Sequence, residues 1–188
     1  LFPIYPPLSP PSVLALAHPV PFCLLRHQWN LRALASVFRG LVSTSPATYK
    51  QPVQICRLYL HEATRVYSDR MVSLTDCEAF SEILLKASDT HFAEYDKEVI
   101  KTEPNIFSTF VVESDGEAKT YLQVNDYDHL SKILTKQLAL YNEQFAAMNL
   151  VLFNQAMEHI SRISRIIDNP RGNALLVGVG GSGKQSLT

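Results

Sequence analysis

Hydrophobic positions along this chain recur mostly at helical spacing, and the pattern sets in at Asn30. Asn30 is a good N-cap, and Leu31, Leu34, Phe38 and Leu41 follow it on one helical face. Gly40 and the run Ser43-Thr44-Ser45-Pro46 close that segment. A second helix is expected from Pro52, a residue tolerated in a first turn, with Val53, Cys56, Leu60, Ala63 and Tyr67 on its apolar face. Thr75-Asp76-Cys77-Glu78 has capping-box spacing and opens a third helix that buries Phe80, Ile83, Leu84 and Ala87. Three such helices make a small bundle whose core would be marginal alone.

The pattern then shifts to strand. Ile106–Val112 and Thr120–Val124 favour extended backbone, and Ser114-Asp115-Gly116 between them reads as the turn of a short hairpin. Asp126 caps a helix that uses Leu130, Ile133, Leu134 and Leu138. A longer helix is expected from about Gln144, burying Val151, Phe153, Ala156, Ile160, Ile163 and Ile167, with Arg162 and Arg165 on its far side. Asn169-Pro170-Arg171-Gly172 stops it. The expected fold is therefore mainly α with a short β-hairpin.

Composition changes the picture chiefly at the start. Seven of the 11 prolines lie within residues 1–25, and the first charged residue is Arg26. Proline at that density supports neither helix nor central strand, so residues 1–26 read as a disordered, extended tail. A non-native segment is one alternative and a ligand for an aromatic groove another. A signal peptide would show a basic start and an unbroken apolar stretch, and neither is there. The chain opens on Leu1 and closes inside a motif at Thr188, and reads as a truncated piece of something longer.

Apolar residues make up 46% of the chain, enough for a packed core. Seventeen Lys and Arg against 18 Asp and Glu leave a formal charge of -1, which argues against nucleic acid or an anionic membrane as a partner. Cys23, Cys56 and Cys77 are too few and too scattered for a disulfide framework or a zinc knuckle, which points to a reducing setting.

Five of the seven glycines lie in the last 17 residues and surround the strongest chemical signal. The apolar run Ala174-Leu175-Leu176-Val177 is of the kind buried in a parallel sheet. It enters Gly178-Val179-Gly180-Gly181-Ser182-Gly183-Lys184-Gln185-Ser186, whose spacing is that of a phosphate-binding loop. Glycines are required there because backbone N–H groups must close around phosphates where side chains would obstruct them. Lys184 would reach the terminal phosphates, and a helix starting there would add its positive end. The expected fold thus gains the first strand of a P-loop α/β module.

One position departs from the motif. The residue after the lysine is normally Ser or Thr, whose hydroxyl binds magnesium, and here it is Gln185, with Ser186 one place later. Binding of ATP or ADP survives such a change, while magnesium coordination and hydrolysis are in doubt. Gly178, Gly180 and Gly183 also match a dinucleotide fingerprint, which has no use for Lys184, and a chance glycine turn is the remaining reading. The lysine favours the phosphate loop.

Other candidates are weaker. His61-Glu62-Ala63-Thr64-Arg65 begins like a zinc protease helix, but Arg65 stands where the second histidine belongs. His159 beside Glu158 reads as a solvated polar pair, and Asp126 and Asp128 as cap and turn residues.

With the loop in view, its surroundings resemble the dynein heavy chain, most closely the axonemal kind. Tyr141-Asn142, Met148-Asn149-Leu150-Val151-Leu152-Phe153 and His159-Ile160-Ser161-Arg162-Ile163 look like the approach to that motor's fourth AAA+ module. Arg171–Leu187 is similar to that module's phosphate loop, where a glutamine at the position of Gln185 is usual. Trp29-Asn30-Leu31-Arg32 and Leu60–Arg70 look like the lid of the third module. The resemblance covers residues 27–188. It implies a lid at 27–90, a connecting segment with hairpin and helix at 91–143, and the start of the next module at 144–188. It implies Arg32 as a nucleotide sensor, with a surface arginine at a helix start as the equal alternative. It implies as partners the rest of the ring and, through regions outside this segment, microtubules and intermediate and light chains. The implied location is cytoplasm, cytoskeleton and ciliary axoneme. The implied fourth module is regulatory, and the segment alone is expected to be catalytically inactive. A vestigial structural ring segment or another P-loop ATPase are the competing readings.

Overall fold

A computed structural model of the chain describes residues 29–42, 44, 48–111, 120–170, 172–181 and 183–188. Residues 1–26, the turn at Ser114-Asp115-Gly116, Arg171 and Ser182 lie outside the described residues. The architecture is mostly helical with one two-stranded antiparallel sheet. Two compact units divide at Lys101 and Thr102.

The first unit holds α1 (Leu31–Val42), α2 (Pro52–Tyr67), α3 (Leu74–His91) and the short α4 (Lys97–Lys101). Asn30 caps α1 as expected, its Oδ1 accepting the Ala33 N–H at 2.9 Å. The buried face of α1 differs from the expected one. Leu31 and Phe38 are exposed, and the packed stripe is Ala33, Val37 and Gly40 at i, i+4 and i+7. Small residues let α1 lie close on α2, where the fully buried Glu62 carboxylate occupies the space a Gly40 side chain would need. Gly40 is thus inside the helix and does not end it.

Pro52 takes the first position of α2, and the Gln54 side chain accepts the Gln51 N–H at 3.3 Å. This helix is buried on several sides. Ala63, Val66 and Tyr67 join Ala33, Val37, Met71 and Phe80 in one cluster. Cys56 and Leu60 join Phe92 and Ile100 in another. Burial, then the nearby Glu94, pushes the Cys56 thiol up to about 11, which favours the neutral thiol in its packed position. The His61-Glu62 pair is also interior, and Arg57 reaches across to donate to the Val99 carbonyl of α4. The third helix starts two residues earlier than the Thr75 box implies, with Ser73 at the N-cap position and Thr75 inside the first turn.

In the second unit, β1 (Phe107–Ser108) pairs with β2 (Leu122–Gln123), Phe107 opposite Gln123 and Ser108 opposite Leu122. The Val124 N–H bonds the Ile106 carbonyl at 2.8 Å and continues the ladder. These strands lie within the expected segments but are shorter. Asp126 caps α5 (Tyr127–Gln144) by accepting the His129 N–H at 2.6 Å. Gln144 ends this helix and does not begin the next. The last helix, α6, spans Asn154–Asp168, so Val151 and Phe153 precede it and are exposed. Ile167 is exposed as well, while Ala156 and Ile163 are buried as expected. Asn142 accounts for the break, because its side chain accepts the Met148 N–H at 2.8 Å and donates to the Met148 carbonyl at 3.1 Å. That two-way amide pairing offers the backbone a local alternative to continued helix.

Ile106, Val124, Leu130, Leu134 and Met157 form the core of this unit. The Tyr127 hydroxyl donates to Glu158 at 2.6 Å and Arg162 pairs with the same carboxylate at 3.3 Å, so Glu158 is a packed hub, not a partner of the exposed His159. Thr109 beside β1 donates to Asp168 at 2.5 Å and ties the hairpin to the end of α6. Among the described residues no helix is long and apolar enough to cross a membrane.

Candidate phosphate-binding loop

The loop is set up by the end of α6. Asn169 stops the helix, its amide donating to the Arg165 carbonyl at 2.7 Å, and the Gly172 N–H turns back to the Asn169 carbonyl at 2.8 Å. A side chain at Gly172 would collide with the Ile166 carbonyl, so the chain can leave α6 at this angle only through glycine. The expected stop at Asn169-Pro170-Arg171-Gly172 therefore has a steric basis.

Residues 173–177 were expected to form a buried strand, and they do not. Leu175 is 90% exposed and Val177 86% exposed. A parallel strand needs neighbours on its edges to satisfy its N–H and C=O groups, and among the described residues none pairs with this segment.

The glycine loop itself is formed. Gly181 and Gly183 have φ of 77° and 76°, left-handed backbone that other residues rarely adopt. A Cβ added at Gly180, Gly181 or Gly183 would meet nothing within 4 Å, so no described atom crowds these positions. Lys184 folds back over the loop. Its Nζ donates to the carbonyls of Gly178 at 2.6 Å and Val179 at 2.7 Å, closing the two ends of the motif on each other. The ammonium is thereby held beside the first two residues of the loop by two of its three donors. The Gly183 carbonyl accepts the N–H groups of both Ser186 and Leu187 at 3.0 Å, which begins a helical turn.

This arrangement fits a phosphate group, since it combines glycine backbone in the required conformation, uncrowded positions, and a fixed cation. It does not fit a magnesium ligand in the usual place. Gln185 offers a neutral, exposed carboxamide where a hydroxyl belongs, and the Thr188 hydroxyl is turned to the Lys184 carbonyl at 2.7 Å. Arg32 lies in the first turn of α1 with its side chain exposed, in the first unit, while residues 178–186 belong to the second. The lysine's carbonyl partners and the steric role of Gly172 emerge only in the folded chain. The spacing of Gly178 from Lys184 was the available signal for the first, and nothing in the sequence fixes the second.

An apolar segment running from a stopped helix into a lysine-closed glycine loop is the pattern of a P-loop module. Comparison with known families agrees, residues 148–188 matching the P-loop containing dynein motor region D4 and residues 19–102 an AAA+ lid domain. The chain is 49% identical over 159 residues to the ciliary dynein beta chain of Tripneustes gratilla. It is 46% identical over 160 residues to human dynein axonemal heavy chain 17. Over 166 residues it is 47% identical to the flagellar outer-arm dynein alpha chain of Chlamydomonas reinhardtii. The matched stretches cover 85%, 85% and 86% of this chain and 4% of each relative. The chain belongs to the dynein heavy-chain family and corresponds to a segment of its AAA+ motor region.

Proposed function

We propose that this chain supplies the nucleotide-binding loop of a regulatory AAA+ module, together with the lid of the preceding module, in an ATP-driven, microtubule-based motor. Residues 27–90 form the lid, 91–143 the connecting segment and 144–188 the start of the nucleotide module. The observation that carries this reading is the loop with two left-handed glycines and Lys184 bonded back to the Gly178 and Val179 carbonyls. Gly178, Val179, Gly180, Gly181, Ser182, Gly183, Lys184, Gln185 and Ser186 contact the phosphates of ATP or ADP in this proposal, and Arg32 senses nucleotide from the lid. The names of the relatives, ciliary, axonemal and flagellar, support an axonemal location. Partners are the remainder of the motor ring and, through other parts of the heavy chain, microtubules and the smaller dynein chains. The segment alone is not expected to turn over ATP.

Calorimetric titration of the chain with ADP tests the loop. Saturable binding that weakens at least about tenfold in Lys184→Ala is expected, because a charge-assisted contact to phosphate is lost. Equal binding by both proteins, or none by either, would overturn the proposal, and the second result would favour a vestigial loop.

A further inference from the structure

We propose that this loop holds nucleotide phosphates without lending a ligand to the divalent cation that accompanies them, so that its nucleotide affinity is insensitive to the metal. The inference rests on the phosphate-loop reading and concerns how that same site is regulated. A P-loop ordinarily couples nucleotide and magnesium through one hydroxyl, on the residue after the lysine, so that each strengthens the other's hold. Here that residue is Gln185.

Neither neighbour replaces the missing hydroxyl. The two hydrogen bonds accepted by the Gly183 carbonyl, from Ser186 at 3.0 Å and Leu187 at 3.0 Å, wind residues 183–187 into a helical turn. Successive residues in such a turn are rotated by about 100°, so Ser186 faces a different side from position 185. Thr188 comes back under Lys184, and its hydroxyl donates to the Lys184 carbonyl at 2.7 Å. The Gln185 side chain itself is exposed and carries a neutral amide on a flexible stem. Magnesium demands near-octahedral oxygens at about 2.0–2.1 Å and dehydrates reluctantly, which makes such a group a poor exchange for a bound water.

Charge at the loop is supplied instead by Lys184, already fixed by the carbonyls of Gly178 and Val179. That cation is present whether or not metal arrives. A site of this kind retains its nucleotide through changes in free magnesium and does not distinguish ADP from its magnesium complex.

The test is ADP titration of the chain, followed by calorimetry, in magnesium and again in EDTA, for the native sequence and for Gln185→Thr. Position 185 is exposed, so the substitution leaves packing intact. The native chain should bind ADP within about threefold in the two conditions, whereas Gln185→Thr should gain at least about tenfold from magnesium, the scale on which lost metal-site contacts are felt. Binding by the native chain that collapses in EDTA would overturn this inference while leaving the phosphate loop standing. A Gln185→Thr protein as metal-insensitive as the native one would overturn it too, since position 185 would then not be where the metal is read. Binding in neither condition would overturn the phosphate-loop reading and the inference with it.

Discussion

Gly40 and Glu62 illustrate how single residues set this structure. Glu62 is fully buried in α2, and its carboxylate fills the space beside Gly40 of α1. We predict that Gly40→Ala destabilises the first unit by up to about 2 kcal/mol, because overpacking of about 1–3 kcal/mol against the buried Glu62 side chain exceeds the roughly 1 kcal/mol that alanine gains over glycine inside a helix. Urea unfolding followed by circular dichroism would register it, and an unchanged midpoint would contradict the packing described. In the sequence Gly40 read as a helix end, because glycine near a Ser-Thr-Ser-Pro run usually is one. Its value as a contact surface depends on a residue 22 positions later and could not be seen locally. Gly181 and Gly183 show another case, since the motif spacing marked them as glycines the loop needs and the structure gives both left-handed backbone.

Elements were legible at several local caps and breakers, though not at Gly40 or the Thr75 box. Asn30, Pro52, Asp126 and Asn169 each act within four residues, and each was read correctly. The apolar face of α1 was not, because period alone cannot say which stripe a neighbour will accept, and a stripe of small residues won over one of larger ones. Nor was the gap between α5 and α6. The apolar run 150–153 looks like helix until Asn142 is seen to clamp Met148. Replacing Asn142 with alanine should therefore speed hydrogen–deuterium exchange at the Met148 amide by at least about fivefold, the loss of one hydrogen bond of ordinary strength. Unchanged exchange there would show that other contacts hold the segment.

For the whole molecule, the mainly helical class and the antiparallel strand pair were readable from pattern, and the glycine spacing pointed to the candidate site. The strand at 174–177 was predicted from its composition, but a parallel strand exists only by pairing, and its partners are not among the described residues. Family resemblance rested on the segments around the loop and on the lid, and both now carry separate family matches. The central claim is that the loop at residues 178–186 binds nucleotide through its phosphates. Amide resonances of the chain, followed by NMR during titration with ADP and then with adenosine, test it most directly. The account predicts that Gly180, Gly181, Gly183 and Lys184 shift with ADP and stay in place with adenosine, which has no phosphates. Equal shifts with both ligands, or shifts confined to other residues, would contradict it.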